Sequence, residues 1–340
     1  MKQTDFARTI TKYLSEYLPG QRNVSSNTIR SYRDAFKQLL IFLNETYSLK
    51  PERINFSNIT AEYIKNYLSW LEKERKVSIS TRNQRMAAIH SFYRYAQTEY
   101  PDIMFESQRI LGIKFKKHSH PTIGYLSRDC MSCILKQPDS STKRGRRDLT
   151  LITTLYDTGA RVQELIDLKV FHVRLQEPAT VTLTGKGNKS RCVPLMDKTK
   201  RLLETYMMEI HLLENGKQQI PLFHNSRFEK FTRPGISYIL TKYFNLAREK
   251  SPDISFPESI HPHMLRHTKA VHLLEAGVNL IYIRDLLGHV SITTTEIYLK
   301  AETELKRNAL ESAYPQIVTQ DIPLWTENTD LLHWLNDFCR

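Results

Sequence analysis

Residues 263–298 read HMLRHTKAVHLLEAGVNLIYIRDLLGHVSITTTEIY, and the rest of the chain is organised around them. From His263 to about Ala276, Leu265, Val271 and Leu274 recur at near-helical spacing, and Gly277 suits the left-handed position that closes a helix. On that helix His263 and Arg266 stand three apart and share a face. Asn279 is a fitting N-cap for a second helix, whose Ile281, Ile283, Leu286 and Leu287 run into Gly288 and His289. Tyr298 follows. The stretch therefore predicts short helices that set an Arg, two His and a Tyr at fixed intervals.

Outward from there, 340 residues with 40% apolar content suit two globular domains, each with its own core. A net charge of +13 favours an anionic partner, and DNA rewards such charge through counterion release. Basicity alone leaves ribosomal, membrane-surface and solubility readings open. No apolar run approaches about 18 residues, so no membrane span is expected. The first residues show no basic segment leading into an apolar core and cleavage site, which makes the cytoplasm the default expectation.

Four cysteines in a chain this long do not form a disulfide framework. Cys130 and Cys133 make a lone C-x-x-C without a second pair at zinc-finger spacing. Ser127 caps an ordinary helix through Met131, Ile134 and Leu135, and packing is the expected role of both thiols. His263 and His267 have the spacing of zinc-protease ligands, but Met264 stands where that motif needs Glu. No metal is expected.

Residues 1–105 read as a four-helix domain. One segment runs from about Phe6 to Tyr17 and ends near Pro19-Gly20; a second opens at Ser25-Ser26-Asn27 and carries Ile29, Tyr32, Phe36, Leu39, Leu40 and Phe42. A third fits Thr60 to Leu71, and a fourth opens near Ser80 and carries Met86, Ile89, Phe92 and Tyr95. Arg30, Arg33, Arg82, Arg85 and Arg94 lie among these apolar positions, where they face either phosphates or solvent. Residues 106–125 lose periodicity and include Lys114, Lys116 and Lys117, so they read as a basic linker: a strap across a DNA backbone or a solvated connection.

The second domain is expected over 126–314. Leu149 to Thr158 forms a helix that stops at Gly159, and Arg161 starts another. Ala179 to Leu183 and Arg191 to Leu195 read as strands joined by the turn Gly185-Lys186-Gly187-Asn188-Lys189, a hairpin with a basic tip. Helices at about Lys198 to Leu213 and Pro234 to Lys250 complete a mostly helical fold with one small antiparallel sheet. Over 315–340, Leu331, Trp334, Leu335 and Phe338 share one face of a short terminal helix, which must dock on its own domain or on a neighbouring protomer.

His263-Met264-Leu265-Arg266-His267, Leu287-Gly288-His289 and the terminal Tyr298 together resemble the signature of the tyrosine recombinases, the phage-integrase family. Thr158-Gly159-Ala160-Arg161 with Glu164-Leu165 resembles that family's first arginine box, Gly185-Lys186-Gly187 its lysine loop, and the N-terminal helices its SAM-like core-binding domain. The resemblance implies a site-specific recombinase that cuts and rejoins strands through a 3′-phosphotyrosine, without metal or cofactor. Tyr298 would be the nucleophile and His263 its base; a phenol with pKa near 10 is only about 0.1% ionised at neutral pH, so it needs one. Arg161 and Arg266 would hold the non-bridging phosphate oxygens, Lys186 would protonate the departing 5′-oxygen, and His289 would donate to the same phosphate. Glu164 would be a supporting acid that orients the neighbourhood, while Lys189 or Arg191 would touch the DNA backbone. Implied partners are double-stranded DNA with inverted-repeat core sites and three further copies of the chain, exchanging strands through a Holliday junction.

Two departures from the family pattern stand out: Lys300 two positions after the tyrosine, where His is common, and the threonine run 293–295. No extra arm-binding domain is evident at the N-terminus, which favours a simple two-domain recombinase. A type IB topoisomerase, with a related site that nicks and reseals one strand, and a DNA-binding regulator without activity are the competing readings.

Overall fold

Ser25, Thr60 and Ser78 each accept a hydrogen bond from the backbone N–H three residues on, at 3.4, 3.3 and 3.2 Å, and each starts a helix of the N-terminal part. The structure is a computed structural model; it describes residues 3–117, 124–225 and 227–288, with Lys186 described by its backbone alone. The chain divides into two units, Met1–Pro121 and Thr122–Arg340.

In the first unit α1 (Asp5–Lys12) continues into a π-wound segment, Tyr13–Gln21, which carries Pro19 and so runs past the expected stop. It is followed by α2 (Ser26–Tyr47), α3 (Ala61–Lys73), α4 (Ile79–Glu99) and α5 (Met104–Leu111). Their common core is aromatic: Phe6, Tyr13, Phe36, Phe42, Tyr67 and Phe92 are buried, and Phe92 meets Phe6, Tyr13 and Phe36 edge to face.

Helix α5 corrects the expected linker. Ser107 and Ile110 are buried, the Glu106 carboxylate accepts from the Ala61 N–H, and His90 Nε2 donates to the Ile110 carbonyl at 3.1 Å. An eight-residue helix with so few inward side chains is too short to declare a period. Beyond it, Lys116 exchanges hydrogen bonds with the Asn83 side chain (2.8 and 3.2 Å) and lays its ammonium on Glu72 at 2.6 Å. This part of the expected strap is thus fastened to its own unit.

The second unit comprises α6 (Arg128–Leu135), α7 (Lys143–Asp157), α8 (Val162–Ile166), the strands β1 (Val173–Arg174), β2 (Thr180–Thr184) and β3 (Ser190–Pro194), then α9 (Asp197–Glu209), α10 (Arg233–Lys250), α11 (Pro262–Glu275) and α12 (Leu280–Leu287). The sheet is antiparallel in the order β1-β2-β3, with Leu183 opposite Arg191 and Thr184 opposite Ser190. Leu155, Leu183, Val193, Leu203, Phe223, Phe244 and Leu265 fill one core. Helix α7 starts well before Leu149 because Thr142 caps it and Gly145 lies so close to the Asp139 carbonyl that no Cβ fits. No helix among the described residues is long and apolar enough to cross a membrane.

Candidate active site

The turn after α7 is built for close approach. Gly159 adopts φ +58°, and a Cβ there would stand 2.8 Å from Leu287 Cδ2, so only glycine brings the turn against α12. Arg161 follows in extended conformation as the cap of α8. Its backbone N–H and its Nη1 both donate to Glu164, at 2.9 and 2.7 Å. Arg191, reaching from β3, closes a bidentate pair on the same carboxylate (3.1 and 2.7 Å) and donates from Nε to the Leu286 carbonyl at 2.7 Å. Burial alone would raise the Glu164 pKa, but the hydrogen bonds from Arg191 and the Arg161 backbone, with their charges, outweigh it and bring it to about 2.

Arg266, on α11, is 0% exposed. Its Nη1 donates to the Gly159 carbonyl at 2.7 Å and its Nη2 to the Leu287 carbonyl at 2.5 Å. The guanidinium thus joins the turn before Arg161 to the last turn of α12, immediately before Gly288. It was expected to face a phosphate; two of its five N–H groups hold backbone carbonyls. One turn earlier His263 keeps an exposed edge and packs its ring 4.4 Å from that of His267. Desolvation, then the charges of Arg266, His261 and Arg161, push its pKa down, which favours the neutral imidazole a base requires.

Two cross-links of this frame were not anticipated. Lys269 pairs with Asp157 at 2.9 Å, tying α11 to the end of α7. His272 accepts from the Tyr156 hydroxyl at Nδ1 (2.8 Å) and donates from Nε2 to the Leu126 carbonyl (2.9 Å). Lys269, His272, Asp157 and Tyr156 lie on helices that looked like ordinary packing, Leu126 lies just before α6, and more than a hundred residues separate the partners, so no local pattern announces the contacts.

The other expected site residues fall in three places: the hairpin tip, the stretch beyond residue 288, and the surface and interior of the two units. Lys186 lies at the hairpin tip, where Gly187 takes φ +75° and the Gly185 N–H bonds the Lys189 carbonyl at 2.9 Å. His289 and Tyr298, like the stretch from Leu331 where a terminal helix was expected, lie outside the described residues. Arg30, Lys117 and Lys189 are exposed, and Arg33 is exposed beside Asp34. Arg82 departs from its expected role as a phosphate contact: it is buried, paired with Glu72 at 3.1 Å, because the inner face of α4 carries it under the Lys116 segment. Half-buried Arg85 donates to the Ser31 carbonyl at 3.1 Å. Arg191, held by Glu164 and Leu286, is likewise turned away from the surface role expected of it. The Cys130 thiol donates to the Ser255 carbonyl at 3.2 Å, and Cys133 accepts from the Ser251 hydroxyl at 3.6 Å.

Comparison with known proteins settles what this frame belongs to. Residues 125–304 match the phage integrase family and residues 10–100 the phage integrase N-terminal SAM-like domain. The chain belongs to the phage integrase family. A putative integrase/recombinase of Sinorhizobium fredii, y4rC, is 36% identical over 92% of this chain and 93% of its own. The tyrosine recombinase XerC of Oceanobacillus iheyensis is 31% identical over 88% of this chain and 94% of its own. Among solved structures, the fold is shared with the XerH site-specific recombinase bound to a palindromic difH substrate (TM-score 0.65, 22% identity, 89% of this chain and 84% of that one). It is also shared with the Tn1549 transposon integrase in complex with transposon right end DNA (TM-score 0.67, 17% identity, 89% and 99%).

The mainly helical architecture, with a SAM-like N-terminal domain and a catalytic domain around a small antiparallel sheet, is that of the family. This recombinase cuts and rejoins DNA at specific sites by the tyrosine-recombinase mechanism.

Proposed function

We propose that Arg161, Lys186, His263, Arg266, His289 and Tyr298 are the catalytic set, and that four protomers use it on paired inverted-repeat core sites. The observation that carries this is the double clamp by Arg266, which joins the Arg161 turn to the segment leading into His289, with His263 one helical turn away. The phenol oxygen of Tyr298 attacks the scissile phosphorus while His263 takes its proton. The bond from phosphorus to the 5′-oxygen breaks, and Lys186 supplies the proton that oxygen needs. Arg161, 36% exposed at its side chain, meets the non-bridging oxygens. Arg266, the second arginine of the set, stabilises charge on the same oxygens. His289 donates to the same phosphate.

The phosphotyrosine conserves the energy of the phosphodiester, so a 5′-hydroxyl from a second duplex reseals it in the reverse step, and strands are exchanged in pairs through a Holliday junction. Arg30, Arg33, Lys117 and Lys189 are the surface cations available to the DNA backbone. Cytoplasmic DNA is the expected substrate, and the segment from Leu331, expected to be helical, is the one expected to pass between protomers.

Tyr298→Phe tests the assignment on a nicked suicide duplex whose sequence has been selected from a random pool by covalent capture on the unaltered protein. Adduct formation should vanish while DNA affinity stays within about threefold, since only a hydroxyl is lost. A Tyr298→Phe protein that still forms the adduct would move the nucleophile elsewhere, with Tyr282 the first alternative.

A further inference from the structure

Glu164 receives more positive charge than the start of a helix requires. Four hydrogen bonds converge on its two oxygens: Oε1 accepts from Nη1 of Arg161 and of Arg191, and Oε2 accepts from the Arg161 backbone N–H and Arg191 Nη2. The carboxylate side chain is 3% exposed, Arg191 12% and Arg161 36%, so the pair Glu164–Arg191 lies inside and Arg161 is the member that meets solvent. Two guanidiniums around one carboxylate leave the trio at a net +1. Without Arg191, the buried carboxylate would face Arg161 alone and cancel the charge a phosphate is meant to find.

The surroundings are shaped to this contact. A Cβ on Gly185 would stand 2.8 Å from Glu164 Oε1, and a Cβ on Gly288 would stand 3.0 Å from Arg191 Cδ, so backbone from the hairpin tip and from the end of α12 closes directly over the pair. Through Nε, Arg191 also satisfies the Leu286 carbonyl, one of the groups a helix C-terminus leaves without an intrahelical donor.

We propose that Arg191 is a positioning residue for strand cleavage: it holds the charge of Glu164, so that Glu164 orients Arg161 without neutralising it, and it fixes the last turn of α12 against β3. This rests on the reading of Arg161 as a phosphate-binding group. Because the role is electrostatic, loss of Arg191 is compensated by removing the carboxylate's charge, which neither a packing role nor a DNA contact would allow.

The test uses the full-length protein and the selected suicide duplex, with single-turnover adduct formation and the salt dependence of duplex binding as readouts. Arg191→Met should slow adduct formation by about 30-fold or more, on the scale of losing one charge-stabilising contact. Adding Glu164→Gln to it should restore about tenfold of that loss, while Arg191→Lys, which keeps the charge without the fork, should lose about tenfold at most. The slope of log affinity against log salt should be unchanged in Arg191→Met; a backbone contact would lower it by about one. A lowered slope with a cleavage defect that saturating protein repairs would assign Arg191 to DNA and overturn the proposal. So would equal rates for Arg191→Met with and without Glu164→Gln. If Arg191→Met does not fold by thermal melting, Arg191→Lys decides: a rate as low as that of Arg161→Ala overturns the proposal, and a rate within about tenfold of the unaltered protein upholds it. An Arg161→Ala protein that cleaves normally would instead remove the reading of Arg161 on which the proposal stands.

Discussion

In the N-terminal unit the buried arginine, Arg82, faces a carboxylate that it shares with Lys116, and the neighbouring cations Arg30 and Lys117 stand in solvent. In the catalytic unit the fork of buried Arg266 holds two backbone carbonyls, and Arg161 and Arg191 share one acid between them. The first arrangement cancels interior charge and leaves attraction for DNA to a diffuse surface. The second concentrates positive charge around one turn, where each guanidinium has a fixed geometry. Loss of a surface cation should therefore be graded and salt-dependent, and loss of an inner one abrupt and insensitive to salt.

The largest effect that would sharpen this contrast is expected at Lys186. Lys186→Ala should slow cleavage of an ordinary duplex by roughly 100- to 10,000-fold, but slow a duplex with a 5′-bridging sulfur much less, since a thiolate leaves without protonation. Equal defects on both duplexes would reduce Lys186 to a phosphate contact. Lys189→Ala should be milder on either substrate.

Arg266→Ala should follow, with cleavage down by about 100-fold or more. It should also lower the melting temperature, because the buried carbonyls of Gly159 and Leu287 lose their donor at about 1–3 kcal/mol each. Full stability together with lost cleavage would mean that the clamp is dispensable and only the charge matters.

Glu164 offers a test by pH. Its folded-state pKa, about 2, lies below the ordinary carboxylate value of 4.5, so its contribution to stability is complete above that value and is lost as pH falls through 4.5 toward 2. The amount is about 3 kcal/mol, to order of magnitude. Urea melts at pH 5 and at pH 2.5 should diverge less in Glu164→Gln than in the unaltered protein; identical acid dependence would mean that the carboxylate is not held down in the fold.

The smallest effects belong to the N-terminal unit. Arg30→Ala and Lys117→Ala should each weaken duplex binding by only about threefold to tenfold at moderate salt and lower the salt slope by about one. Arg82→Ala should lower the melting temperature and leave the slope alone. A changed slope in Arg82→Ala would break the division between the units.

Much of this molecule was legible along the chain. The helices of the first unit start at the capping residues Ser25 and Thr60, as expected, and one begins two residues earlier than its apolar run suggested, at the cap Ser78. Gly277 takes the positive φ expected of it, and the hairpin lies within one residue of its expected strands. The arginine turn at 158–161 was recognisable because the resemblance supplied distant context that its own residues lack.

What the linear pattern determined is what depends on neighbours in the chain: caps, turns, helical and strand periodicity, and the order of the boxes. Which arginine would be buried, and on what, was decided only by the tertiary structure. Nothing in the neighbouring residues of Arg82, Arg191 or Arg266 names its partner: one meets Glu72 across two helices, one a carboxylate 27 residues away, and one carbonyls at 107 and 21 residues' distance. A guanidinium carries the same charge everywhere, and its role is set by the acceptors that folding brings within about 3 Å, which no periodicity encodes.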